Sequence, residues 1–154
     1  MEQSTPAPNV RGYTYAVLVS IADRILYDAI FDALARAGIH DVRRAHGAVF
    51  EAIDPEGSRV TEMAERMRMT KQAIGQLVDH LEGGGYVSRE RDPGDGRAKL
   101  VVLTDKGRRV ARLAIAATDR LERRWDRQLG PRRAREFRRA LEEICGTFGT
   151  AHIR

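Results

Sequence analysis

The chain is poor in cysteine and has no long apolar runs. Cys145 is the only cysteine among 154 residues, so no internal disulfide can form and nothing points to an oxidising compartment. No apolar stretch approaches the roughly 20 residues of a membrane-spanning helix, and residues 1–9 lack the basic and apolar regions of a signal peptide. The sequence therefore predicts a cytoplasmic protein.

Lysine is also scarce, and the positive charge is carried almost entirely by arginine. Only Lys71, Lys99 and Lys106 are lysines among 27 basic residues, which stand against 22 acidic residues and give a net charge of +5. Guanidinium groups suit bidentate contacts with phosphates and bases, so this composition favours a nucleic acid as partner. The excess is uneven: residues 59–103 hold eight basic and seven acidic residues, whereas residues 104–139 hold thirteen and five.

Apolar periodicity and capping residues predict a mostly helical chain with one hairpin. Thr61 and Thr70 can cap the two helices of a helix-turn-helix segment, because a threonine side chain accepts from the first free amides of a helix. The expected helical segments are 13–37, 41–53, two short helices within 58–82, a long helix from 104 to about 129, and a final helix from Pro131. The hairpin is expected to have strands 87–91 and 98–103, joined by a six-residue tip.

The order of two short helices followed by a two-stranded hairpin is that of a winged helix-turn-helix. Apolar Ile74 and Leu77 are expected to hold the second helix against the first, which leaves Lys71, Gln72 and Gln76 on its outer face. These side chains can donate to phosphates or to base edges, and glutamine suits adenine. The alternative hypothesis is a helical hairpin in a small bundle with an ordinary solvated face.

The hairpin and its exit carry a family resemblance. Residues 92–107 resemble the D-P-x-D-x-R…V-x-L-T-x-x-G signature of MarR-family transcriptional regulators, and residues 81–87 are similar to the helix exit of that family. The resemblance begins near Tyr13 and is most specific over residues 60–107. Arg68 departs from the pattern, since the family often has glycine in that turn.

The resemblance implies a mainly α (α+β) fold, a winged helix-turn-helix with N- and C-terminal dimerisation helices. Residues 1–12 would form a flexible tail before a single domain, 13–154. Within it, 13–37 and 104–154 would supply the dimerisation helices, and 41–103 the DNA-binding part. The implied function is that of a repressor, acting as a homodimer on a pseudo-palindromic operator. A winged-helix module that binds proteins without specific DNA binding remains the alternative.

Candidate contacts to DNA follow from the helix face and from the resemblance. The resemblance implies that Arg97 at the wing tip enters the minor groove, where narrow A·T-rich stretches attract a guanidinium. Asp92 or Asp95 would then brace that arginine and the turn; the alternative is that both aspartates only shape the turn. The full candidate set for DNA binding is Thr61, Thr70, Lys71, Gln72, Gln76, Arg89, Arg91 and Arg97.

Regulators of this kind often bind a small aromatic or anionic effector between the dimer helices and the winged part. By fold analogy the candidate lining residues are Arg24, Arg43, His46 and Trp125. The four histidines and Cys145 lack metal-ligand spacing, so neither a metal nor a cofactor is expected. No nucleophile–base arrangement or nucleotide fingerprint stands out, and an enzyme is not expected.

Overall fold

The computed structural model describes residues 10–149, with side chains through residue 146. Residues 1–9 of the expected tail and 150–154 of the expected C-terminal segment lie outside the described residues. The elements in chain order are α1 (Tyr15–Arg36), a 3₁₀ turn (Arg44–His46), α2 (Gly47–Ala52), α3 (Val60–Arg66), α4 (Lys71–Gly83), β1 (Val87–Asp92), β2 (Asp95–Leu103), α5 (Asp105–Leu129) and α6 (Pro131–Gly149). This architecture confirms the predicted mainly α winged helix-turn-helix.

The core lies where α3, α4 and the hairpin meet α1, α2 and the start of α5. Met63, Ile74 and Leu81 are fully buried there, and Val101 brings β2 into the same cluster. Burial of these side chains fixes α4 against α3, because apolar area removed from water stabilises the contact. The outer face of α4 is left exposed as a result.

N-cap residues fix where α3 and α4 begin, and the N-cap of α3 differs from the prediction. Thr70 caps α4 as predicted, because its Oγ1 accepts from the amide of Ala73 at 3.1 Å. The prediction for Thr61 is wrong: the N-cap of α3 is Arg59, whose amide donates to the Glu62 carboxylate at 3.2 Å. The helix therefore starts earlier, and Thr61 is an exposed residue of its first turn.

One residue in the tight turn between α3 and α4 has a left-handed backbone conformation. Arg68 has φ of 51°, the only positive φ among the non-glycine residues that the structure describes. This is the position at which the resemblance leads one to expect glycine, and an arginine there pays a modest conformational cost. The amide of Met69 still bonds to the carbonyl of Ala64, so the turn keeps its geometry.

The wing is longer in its strands and shorter at its tip than predicted. β1 and β2 pair antiparallel in one register from Val87–Leu103 to Arg91–Lys99, within the predicted strands; the register then shifts, and Asp92 pairs with Asp95 across Pro93 and Gly94. The predicted six-residue tip is therefore wrong, because a two-residue turn beside an irregular pair takes its place. Pairing extends further than β-propensity suggested because Asp92 Oδ1 accepts from the Gly94 amide at 2.8 Å and so organises a compact turn.

The second helical segment also starts later than predicted. In place of a helix from residue 41, a 3₁₀ turn at Arg44–His46 precedes the six-residue α2. The reason is local: the His46 ring Nδ1 accepts from the Arg43 amide at 2.9 Å, which holds Arg43 in an extended conformation outside the helix. Among residues 10–149, no helix combines the length and the apolar character needed to cross a membrane.

The wing, the end of α4 and the start of α5 are joined at one tight junction. Thr104 caps α5 through the Gly107 amide at 3.1 Å, and its hydroxyl donates to the Gly85 carbonyl at 2.7 Å. Gly107 is buried, and a Cβ there would lie 2.0 Å from the carbonyl oxygen of Tyr86. The Lys106 ammonium donates to the Gly84 carbonyl at 2.7 Å. Only glycine permits this approach of α5 to the chain that enters the wing.

Gly107→Ala is therefore expected to lower the free energy of unfolding by at least about 2 kcal/mol, since the added methyl group overlaps main-chain atoms that cannot move independently. Urea denaturation of both proteins checks this. Gly75→Ala is the matched control, because a Cβ at Gly75 meets nothing within 4 Å. Helix propensity predicts that this control keeps or gains stability, by up to about 1 kcal/mol. If Gly107→Ala and Gly75→Ala were equally stable, that result would contradict the close contact between Gly107 and the main chain of Tyr86.

Candidate nucleic-acid interface

The outer face of α4 and the wing form an exposed polar surface. Lys71, Gln72 and Gln76 are all exposed on α4, in agreement with the predicted outer face, and Arg97 is exposed on the wing. These four residues define the α4–wing surface. Glutamine and lysine side chains on a helix can reach base edges or phosphates in a major groove.

Other residues of the predicted set lie at the margins of this surface. Thr70 is exposed, but its hydroxyl already accepts the Ala73 amide as the α4 cap. Thr61 lies exposed in the first turn of α3, and Arg91 lies exposed on β1. Arg97 is within β2, two residues after Asp95, and not in the turn itself. Its amide donates to Asp95 Oδ1 at 3.1 Å.

The aspartates of the wing hold a different arginine from the one predicted. Asp92 Oδ2 accepts from Nε of Arg59 at 2.7 Å and also from a terminal nitrogen of the same guanidinium. Asp95 lies 3.7 Å from that guanidinium. The expectation that these carboxylates brace the Arg97 guanidinium is therefore replaced by a link between the wing and the N-terminus of α3. Sequence reasoning missed Arg59, although it immediately precedes α3 and the wing offers it two acidic residues.

This link persists across the neutral range of pH. The Arg59 guanidinium, with help from the Gly94 amide, holds the pKa of Asp92 below its usual value. Since the carboxylate is stabilised in its ionised form, this contribution is fully present above the ordinary pKa of aspartate and is lost as the pH falls through the lowered pKa. The carboxylate partner of Arg59 therefore stays ionised near neutral pH.

Arg89, a predicted DNA contact, is engaged within the chain. Its guanidinium donates to Asp79 at 2.6 Å and also to Glu82, and only 23% of its side chain is exposed. Both carboxylates lie on α4, so Arg89 ties β1 to that helix. A guanidinium neutralised on two sides is poorly placed to bind phosphate, and we remove Arg89 from the candidate set.

His46 does not face a cavity, in contrast to its predicted place in an effector pocket. The side chain is buried, and its ring stacks on that of His80 of α4 with centroids 4.7 Å apart. Burial, with the nearby His80 and Arg43, lowers the pKa of His46, so its ring is neutral at physiological pH. It therefore packs against α4 through His80, whose own side chain is exposed.

A cavity of about 360 Å³ lies between α1, the segment around α2, and α5. The rings of Tyr27, Phe31 and Phe50 line it, and Arg43 is the predicted effector residue that does so. The Arg44 guanidinium lies 4.1 Å from the Tyr27 ring centroid and pairs with Asp23. The space is therefore mostly apolar and aromatic, with cationic groups on one side.

The other predicted effector residues lie elsewhere. Arg24 lines a shallow depression beside Tyr13 and Val17, near the N-terminus of α1. Trp125 lines a separate cleft with Leu129 and Phe137, between α1, α5 and α6. The sequence could have indicated the observed cavity through Tyr27 and Phe31, one helical turn apart on α1. In the described part of the chain, no group of three or more His, Cys, Asp or Glu side chains is arranged to hold a metal ion.

The architecture matches that of known proteins. A family model described as the MarR family matches residues 40–98, which include the 3₁₀ turn, α2 to α4 and most of the wing. A transcriptional regulator of the MarR family from Rhodococcus sp. RHA1 is 29% identical, with a TM-score of 0.60 over 86% of this chain and 93% of that one. The chain belongs to the MarR family, since this match is joined by a relative that is 30% identical over 91% of that relative's length.

Two further relatives have similar levels of sequence identity. CouR from Rhodococcus jostii RHA1, in a structure bound to p-coumaroyl-CoA, is 30% identical, with a TM-score of 0.63 over 86% of this chain and 91% of that one. The HTH-type transcriptional repressor Mb2911 of Mycobacterium bovis is 32% identical over 88 residues. That match spans 57% of this chain and 63% of the relative, less than two thirds of the relative's length.

Loss of the link between Arg59 and the wing is expected to loosen the hairpin. In Arg59→Gln, the amides of residues 94–97 should exchange faster than in the wild type, because Asp92 loses its guanidinium partner. Hydrogen exchange measured by mass spectrometry or NMR checks this. Arg91→Gln is the matched control, since Arg91 lies on the same hairpin and forms no ion pair among the described residues. Unchanged exchange in Arg59→Gln would show that the link does not hold the wing.

Proposed function

We propose that this chain is a sequence-specific DNA-binding transcriptional repressor. It acts as a homodimer on a pseudo-palindromic operator and is released from DNA by a small-molecule effector. The observation that carries the proposal is the α4–wing surface: Lys71, Gln72 and Gln76 exposed on one helix, beside a wing that presents Arg97. The helix would lie in the major groove and Arg97 in the flanking minor groove.

The proposed roles within this surface differ. Gln76 and Gln72 would read base edges, because an amide group can pair with adenine in a bidentate manner. Lys71, at the start of α4, would bind a phosphate, where it adds affinity without sequence information. The relative Mb2911 is named a repressor, which supports the proposed sign of regulation.

Exposed apolar side chains support a homodimer. Tyr15 is 88% exposed and Val19 60% exposed on α1, while Ile144 is 56% exposed on α6. Large apolar side chains that are exposed together on α1 and α6 are typical of a surface that another protein covers. With the apolar side of the C-terminal half of α5, these helices would form the dimerisation part, and two-fold symmetry would set the half-sites about one helical turn apart.

The aromatic cavity supports effector binding. Its volume of about 360 Å³ is near the lower end of the range of about 300–1,000 Å³ for small-molecule pockets, enough for one aromatic ring with a short substituent. Arg43 supplies a positive charge for an anionic group of the ligand. CouR in complex with p-coumaroyl-CoA supports an aromatic compound as the class of ligand.

Substitutions on the α4–wing surface are expected to separate the two kinds of contact. On an operator obtained by selecting bound genomic fragments, Arg97→Ala should weaken binding by about 1–3 kcal/mol without loss of stability. Gln76→Ala should relax discrimination at one base position, whereas Lys71→Ala should weaken all sequences alike and reduce the salt slope by about 1. Fluorescence anisotropy measures all three.

The matched control for Arg97→Ala is Arg132→Ala, which removes one exposed arginine from α6, away from the α4–wing surface. It should leave affinity within a factor of two. If Arg97→Ala binds as the wild type does, the wing has no role in binding. If no genomic fragment is selected at all, the chain is a winged-helix module without specific DNA binding.

Filling the cavity is expected to abolish the response to effector. Among aromatic carboxylates and aromatic acyl-CoA thioesters, at least one compound should bind by calorimetry and lower operator affinity. Ala114→Leu should weaken that binding at least tenfold, because Ala114 lines the cavity. Ala116→Leu, on the opposite side of α5 and outside the lining, is the control. Binding unaffected by Ala114→Leu, or a panel with no ligand, would contradict effector control through this cavity.

A further inference from the structure

Five exposed arginines lie along one side of α5. At 100° and 1.5 Å per residue, they fall within an arc of about 80° and extend over about 27 Å. The only helical position in this row without an arginine is occupied by Ala116. We call this row the arginine stripe; its members are Arg109, Arg112, Arg120, Arg123 and Arg127.

The arginine stripe has no partner within the described chain. Among residues 10–146, none of its five guanidinium groups forms a hydrogen bond or an ion pair. The four acidic residues of α5 form no ion pair with the stripe: Asp119, four residues before Arg123, lines the cavity between α1 and α5. Asp105 pairs with Arg108 at 2.8 Å, and Glu122 pairs with Arg138 of α6 at 2.9 Å. Asp126 lines the cleft between α5 and α6.

Like charges along the stripe repel one another. Arg120 and Arg123 are three residues apart, and Arg123 and Arg127 are four apart, so each pair shares one helix face. Such pairs destabilise an isolated helix. No ion pair within the described residues offsets this repulsion, so a negatively charged partner would be favoured at the stripe.

The α4–wing region, residues 59–103, is close to neutral in net charge. Residues 59–103 hold eight basic and seven acidic residues. Three of the eight are engaged by carboxylates: Arg59 by Asp92, Arg66 by Asp54, and Arg89 by Asp79 and Glu82. Phosphate neutralisation supplies most of the sequence-independent affinity of a DNA-binding protein. A region this close to neutral supplies little of it.

We propose that the arginine stripe is a second DNA-contact surface, which binds phosphate oxygens of the double helix outside the α4–wing surface. This inference rests on the proposed function. A guanidinium binds phosphate in a bidentate manner, which fits a row made of arginine without lysine. The stripe is as long as about eight base pairs at 3.4 Å each. Phosphate contacts carry no sequence information, so the stripe adds affinity and leaves specificity to α4 and the wing.

The test compares two triple variants with the same change in charge. The stripe variant is Arg109→Gln, Arg120→Gln and Arg123→Gln. The control variant, on the exposed outer face of α6, is Arg132→Gln, Arg135→Gln and Arg139→Gln. Full-length protein is titrated at several salt concentrations with the selected operator duplex and with a scrambled duplex of equal length. Glutamine keeps helix propensity close to that of arginine, and circular dichroism checks the fold.

The stripe variant is expected to bind both duplexes more weakly, and the ratio of their affinities should stay unchanged. The slope of log affinity against log salt should fall by about 1 for each arginine removed. The α6 control should keep the wild-type slope. Arg123→Gln alone should reduce the slope by about 1 per chain, which keeps the proposal testable if the triple variant does not fold.

Three results would overturn the proposal. Equal losses in the stripe variant and the α6 control would show only a long-range effect of net charge. No loss in either would leave the stripe a solvated face. A change in the dimer dissociation constant, measured by sedimentation, would assign the stripe to the partner protomer's acidic groups. If the wild type binds both duplexes equally, sequence-specific function fails, but the comparison on the scrambled duplex still tests the stripe.

Discussion

The contact of Gly107 with the main chain of Tyr86 is the constraint on which the rest of the structure depends. It brings the first turn of α5 against the point where α4 ends and the wing begins, and Thr104 and Lys106 bond to the carbonyls around it. Because α5 also packs along α1, the position of α4 and the wing is fixed relative to the long helices. Any displacement of those helices is passed directly to the α4–wing surface.

A second set of contacts holds the α4–wing region together with arginine. Arg59 joins α3 to the wing, Arg89 joins β1 to α4, and Arg66 joins α3 to the Ala52 carbonyl at 2.7 Å and to Asp54. These three arginines thus hold the elements of this region together, and their charges are neutralised by carboxylates of the same chain. The excess of positive charge lies instead on α5 and α6.

Much of the fold could be predicted from the sequence, because its signals are local. Thr70 and Gly83–Gly85 mark the ends of α4, and the turn formers after Asp92 mark the wing. Some errors came from local side-chain contacts, such as that of the His46 ring with the Arg43 amide, and others from contacts between distant segments. The wing turn shortened because Asp92 bonds to Gly94 while holding Arg59, which is 33 residues away.

The candidate site was predicted only in part, for the same reason. The exposure of Lys71, Gln72 and Gln76 followed from helical periodicity. Periodicity says nothing of which carboxylate meets which guanidinium, so Arg89 was placed among DNA contacts and Arg59 was missed. The cavity was located poorly for a related reason: His46 turns inward to His80, and Trp125 lies on a different part of α5.

The central claim is that two copies of this chain present α4 and the wing to one DNA duplex. Hydroxyl-radical footprinting of the full-length protein on a selected genomic fragment tests it most directly. The account predicts two protected half-sites whose centres are about one helical turn, roughly 34–36 Å, apart, with protection extending into the flanking minor grooves. A single protected half-site, or uniform protection that does not depend on sequence, would contradict it.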